Sequence, residues 1–132
     1  MTEQELKQVR YIRSEIAVYQ GKLLELRQRS MIGGGKLDGM PRSGKQGDKV
    51  SERAITAADL EREIAGLMDK LIQTEIRTIR YIEQAPSSLE RQVLYMRYIE
   101  CLPWHQIAKK IGGGNTADSC RKIAKRYIRA NG

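Results

Sequence analysis

Between Cys101 and Gly132 the chain carries seven Lys and Arg, at positions 109, 110, 121, 122, 125, 126 and 129, against the single carboxylate of Asp118. Clustered cations displace counterions from phosphates, so the chemistry suited to this stretch is the binding of a polyanion. Helical spacing sorts the residues further. With 3.6 residues per turn, Asp118, Arg121, Lys122, Lys125 and Arg129 share one face, and Cys120, Ile123, Ala124 and Tyr127 share the opposite one. Thr116, Asp118, Arg121, Lys122 and Lys125 are therefore expected to face base edges. Lys109, Lys110, Arg126 and Arg129 are expected to hold phosphates, with Trp104 and His105 beside them at the opening of the preceding helix.

Other chemistries find few residues to carry them. His105 is the sole histidine and has no carboxylate or nucleophile at motif spacing, so no catalytic group is expected and the chain reads as a non-enzyme. Cys101 and Cys120 form no Cys-x-x-Cys pair, which argues for small apolar fillers rather than metal ligands, and no cofactor is expected. The run from Gly39 to Gln46 follows the phosphate-loop pattern through Gly44-Lys45. It then places Gln46 where a magnesium-binding Ser or Thr is needed, and no apolar strand precedes it.

The elements that must position the basic face are helices. The chain has 132 residues, 30% of them charged and none of them Phe, a polar composition with a thin core that suits an all-α fold. Thr2 and Glu5 form a capping box that opens a helix over 2–28, where Val9, Ile12, Ile16, Tyr19, Leu23 and Leu26 repeat as a heptad seam. Six glycines and Pro41 within 31–48 predict a flexible loop. A second long helix is predicted over 51–84, with Ala57, Leu60, Ile64, Leu67 and Leu71 in a matching seam. Below Leu71 the stripe shifts to Ile72, Ile76, Ile79 and Ile82, a displaced face that predicts oligomerisation. Pro86 ends that helix, so the boundaries read as a coiled-coil-like helical hairpin over 1–86 and a DNA-binding module over 87–132.

In the second module Ser87 and Glu90 form another capping box, opening a helix whose inward face would be Leu89, Val93, Met96 or Arg97, and Ile99. A short helix over 103–111 and a final one over 116–129 flank Gly112-Gly113-Gly114, which is the helix-turn-helix arrangement. Net charge rises from 0 over 87–100 to +6 over 101–132, so a polyanion would meet that end first. No apolar run approaches bilayer length, and Met1-Thr2-Glu3-Gln4-Glu5 lacks a signal-peptide pattern. A cytoplasmic protein without a membrane partner is expected.

The run Leu89-Glu90-Arg91-Gln92-Val93-Leu94-Tyr95-Met96-Arg97-Tyr98, continuing through Leu102-Pro103-Trp104-His105-Gln106-Ile107-Ala108, resembles region 4 of bacterial sigma-70-type factors. Over roughly the last 45 residues of the chain, that resemblance implies recognition of double-stranded promoter DNA and docking on RNA polymerase. The whole chain, with its Gly39-Met40-Pro41-Arg42 loop between long helices, is similar to small transcriptional regulators of Gram-positive phages, the ArpU/RinA-type activators of late genes. The resulting expectation is a phage-type, sequence-specific transcriptional regulator acting as a homodimer or higher oligomer. A small-terminase-type packaging subunit and a helical anti-sigma-like interaction protein are the alternatives.

Overall fold

A computed structural model describes the backbone over residues 1–37 and 56–132, with side chains over 1–29 and 56–132. Every regular element among the described residues is an α-helix, so the fold is all-α as the composition predicts. The elements are α1 (Glu3–Leu6), α2 (Gln8–Leu37), α3 (Ala57–Glu83), α4 (Ser88–Tyr98), α5 (Trp104–Ile111) and α6 (Ala117–Asn131). None of these helices is long and apolar enough to cross a membrane.

Local chemistry explains most of the helix starts. Thr2 and Glu5 make the reciprocal capping box read from the sequence, which satisfies two free amides of the first turn. The predicted single helix over 2–28 is interrupted at Lys7 and then runs on to Leu37. The stretch 31–37 is thus helical rather than loop. Its glycines weaken a helix by about 1 kcal/mol each but keep every backbone donor and acceptor. The remainder of the predicted loop, 38–48, lies outside the described residues, as does the phosphate-loop-like run Gly39–Gln46. The second long helix runs from Ala57, where Thr56 and Asp59 cap each other's backbone amides, and the part of its predicted span over 51–55 lies outside the described residues.

The chain divides into two compact units, and neither edge falls at Pro86. One unit is Ser14–Met68, in which Ile16 and Leu23 of α2 and Leu60 and Ile64 of α3 are buried and Arg27 is ion-paired with Glu61. The other joins Met1–Arg13 to Asp69–Gly132. Its core gathers Leu6, Val9, Tyr81, Ile82 and Ala85 with Val93, Leu94, Tyr98, Ile107, Cys120, Ala124 and Tyr127. A boundary at 86 is therefore replaced by a discontinuous unit, since the first helices and the end of α3 fill the same interior as α4–α6.

Within that unit α3 does not change its seam. Thr74 and Thr78 occupy the next two heptad positions after Leu71 and are buried, each hydroxyl donating to the carbonyl four residues earlier at 2.7 and 2.8 Å. Satisfied in this way, a threonine fills a core position as a small apolar side chain would. The predicted stripe is consequently split. Ile72 and Ile76 are 56% and 44% exposed, Ile79 is half-buried, and Ile82 is a core residue at 3%.

The N-terminus of α4 also departs from its prediction. Ser87 Oγ accepts from the Glu90 N–H but donates to the Glu90 carboxylate, so the reciprocal half of the box is not made. The inward face is Val93, Leu94, Tyr98 and Ile99, with Leu89 exposed and Met96 and Arg97 half-buried. Arg91 closes the preceding bend by donating to the Ala85 carbonyl at 2.7 Å.

Candidate nucleic-acid interface

Pro103 precedes α5 without a side-chain cap, and α5 buries Ile107 and Ala108 with Ile111 half-buried. The turn that follows needs glycine, because Gly112, Gly113 and Gly114 all have positive φ, at 67°, 64° and 81°. Asn115 closes it by donating its backbone N–H and its side-chain amide to the Gly112 carbonyl, at 3.2 and 2.9 Å. Thr116 then caps α6 in a box with Ser119, whose hydroxyl accepts from the Thr116 N–H at 2.9 Å. A search for Glu or Gln three residues after a cap misses this box, since serine does the work here.

Cys120, Ala124 and Tyr127 of α6 are buried, and Ile123 is half-buried, as the periodicity predicts. The opposite face carries the basic residues, which fall into two groups. Asp118 binds both Arg121, at 2.6 Å, and Lys122, at 3.1 Å. The hydrogen bonds and charge of those two partners, Arg121 first, hold the Asp118 carboxyl below the usual carboxylate range. Lys125, Arg126 and Arg129 are exposed and have no carboxylate within ion-pair distance among the described residues. On α5, Lys110 lies 3.8 Å from Glu100, whereas Lys109 has no such neighbour.

The remaining sequence-predicted residues are placed as follows. Thr116 is exposed, with its oxygen already engaged at the cap, and His105 is exposed on the first turn of α5. Trp104 is half-buried against the core, and the Arg97 guanidinium stacks 4.4 Å from its ring centroid while donating to the Leu102 carbonyl at 3.1 Å. Trp104 is thus a packing residue that fixes the bend before α5, and its indole is not held out toward solvent. Arg97 was not among the residues expected to matter here; its signal was the Trp seven positions on, across a proline break.

Charge is distributed unevenly between the units. Met1–Arg13 with Asp69–Gly132 contains fifteen Lys and Arg against eight Asp and Glu, a net +7 of the chain's +8. In Ser14–Met68 every cation with a described side chain, Lys22, Arg27, Arg29 and Arg62, is ion-paired. No group of His, Cys, Asp and Glu among the described residues could hold a metal ion, and Cys101 and Cys120 are free thiols, half-buried and buried. No family model, no curated protein and no solved structure matches this chain.

Proposed function

We propose that the protein is a DNA-binding transcriptional regulator in which α6 enters the major groove and α5 lies across the backbone. The observation that carries this reading is α6 itself, with a buried apolar face and exposed Lys125, Arg126 and Arg129, which have no acidic partner among the described residues. Cations already neutralised by carboxylates release few counterions on binding DNA, whereas unpaired ones contribute in full. Lys125 and Arg129, with Lys109 on α5, would supply phosphate contacts. Arg121, held in one orientation by Asp118, would present its guanidinium to a base edge. Promoter recognition together with RNA polymerase follows from the resemblance of the last 45 residues to sigma region 4.

Titrating a mixed-sequence duplex at rising salt tests the reading. The slope of log affinity against log salt should be steep, and Lys125→Ala with Arg129→Ala should make it shallower by about 2, one unit per lost phosphate contact. A wild-type protein that fails to bind duplex DNA at low salt would overturn it. The exposed Ile72 and Ile76 favour self-association as part of the same proposal, because symmetric pairing would present two copies of α6 to a repeated site. Sedimentation of wild type and Ile76→Asp reads this directly. A dimer that dissociates in the variant agrees with a regulator, a large ring favours the packaging subunit, and a monomer in both excludes the seam.

A further inference from the structure

The surface of α3 within the discontinuous unit holds a second basic line that the sequence reading did not single out. Lys70, Arg77 and Arg80, interleaved with Gln73 and Gln84, lie on one side of the helix and are all exposed. No carboxylate lies within ion-pair distance of any of the three among the described residues. Of the acids in this part of α3, Glu75 and Glu83 fall on other faces, Glu75 bound to Arg13, while Asp69 stands at the N-terminal end of the line, one turn before Gln73. A solvated helix face ordinarily mixes its signs, as α2 and α3 do in Ser14–Met68. From Lys70 on, this line does not.

Its position relates it to α6. The Tyr127 hydroxyl of α6 donates to the Tyr81 carbonyl at 3.1 Å, and the two rings stand 5.3 Å apart at 60°. Tyr81 follows Arg80 directly, and Tyr127 lies on the buried face of α6 opposite Lys125 and Arg129, so the contact packs together two helices that each carry a basic line on their exposed side. Residues of the first turn of the chain line a hollow beside each basic line. Met1 and Glu5 share one with Arg77 and Arg80, and Glu3 shares the other with Lys125 and Arg129. Neither acid is within ion-pair distance of the cations beside it: Glu5 accepts from the Thr2 N–H at 3.0 Å, and Glu3 pairs with Lys7 at 3.7 Å.

We propose that Lys70, Arg77 and Arg80 form a second phosphate-binding face, which holds the backbone of the same duplex whose groove α6 reads. This rests on the DNA-binding function proposed above and extends its footprint from one helix to two. At ~1.5 Å per residue the line is about 15 Å long, a length of duplex axis that carries about nine phosphate charges. Such contacts carry no base information, so the face adds affinity and register rather than sequence preference.

The test is a salt titration of a mixed-sequence DNA duplex with wild type, Arg77→Gln/Arg80→Gln, and Arg62→Gln, whose arginine is ion-paired in the other unit. The Arg77/Arg80 variant should weaken binding to the mixed-sequence duplex and make the salt slope shallower by about 2, while Arg62→Gln leaves it unchanged. Circular dichroism of each variant confirms that folding is retained, which the exposure of these side chains favours. A wild-type slope kept by the Arg77/Arg80 variant overturns this inference and leaves DNA binding by α6 standing; the face would then serve an acidic protein or nothing. An equal loss in Arg62→Gln also overturns it, since the effect would then be one of net charge. Absence of duplex binding by wild type is a different result, and it refutes the proposed function itself.

Discussion

Arg13 offers the sharpest measure of what holds the bend between α4 and α5 in place. Its guanidinium donates through Nη1 to the Ile99 carbonyl, approaches Cys101 Sγ at 3.5 Å, and reaches Glu75 through Nη2 at 3.1 Å. Ile99 is a core residue, and among the described residues the only other donor to its carbonyl is the weak Cys101 thiol at 3.7 Å. Replacing Arg13 by Met keeps the length of the side chain and removes every donor. A charged hydrogen bond is then lost and a buried carbonyl nearly orphaned, at about 2–3 kcal/mol together. The ion pair adds less, because Arg13 and Glu75 are 38% and 28% exposed and partly screened by solvent, at about 0.2–1 kcal/mol. Glu75→Gln isolates that smaller part, since the amide oxygen can still accept from Arg13. Urea unfolding should therefore rank Arg13→Met well above Glu75→Gln, by a factor of about three in ΔΔG, with unchanged m-values. Equal losses in the two variants, or an Arg13→Met within ~0.5 kcal/mol of wild type, would refute the assignment of the stabilisation to the carbonyl.

Two further outcomes follow from buried phenols. Burial, and then the Glu3 carboxylate, push the Tyr98 phenol up to about 12, while the unfolded chain titrates near 10. Between those values the folded state binds more protons. Stability is complete below pH 10 and falls by about 2–3 kcal/mol as pH rises to 12, with Tyr81 and Tyr127 raised by burial in the same direction. Urea midpoints that stay constant to pH 12 would contradict this. The Tyr81 hydroxyl is buried without a hydrogen-bond partner among the described residues, so Tyr81→Phe should be neutral or stabilising by up to about 1–2 kcal/mol in thermal unfolding. The bond from Tyr127 survives that change because it ends on the Tyr81 backbone, and a loss above ~1 kcal/mol would mean the hydroxyl has a partner in solution.

The helices of the last third were legible because proline, glycine and apolar spacing act locally. Pro103 and Gly112 bracket α5, and Cys120, Ala124 and Tyr127 recur at the helical period. The seam of α3 was misread for an equally local reason. Counting apolar side chains passes over Thr74 and Thr78, whose hydroxyls are satisfied within their own helix, and catches Ile72 and Ile76, which are exposed. The division of the basic face into paired and unpaired cations was available from spacing, since Arg121 and Lys122 stand three and four residues after Asp118. The role of Arg13 was not, because its partners lie 62 to 88 positions away. No short-range pattern reports a contact closed by the whole of the intervening chain.

The discontinuous unit has a consequence for how the protein comes into being. Leu6 and Val9 leave the ribosome well before the residues they pack with, since Val93, Leu94 and Tyr98 of the same core are synthesised some ninety positions later. Until then this stretch has no interior to enter, whereas the helices of Ser14–Met68 already have each other. Contacts of such sequence separation form late and slow the search for the native state. A fragment cut at Pro86 to isolate α4–α6 would leave Tyr81, Ile82 and Ala85 behind, and Leu6 and Val9 with them. It would expose the apolar surface those residues cover, so the DNA-facing helices are best produced with both ends of the chain attached.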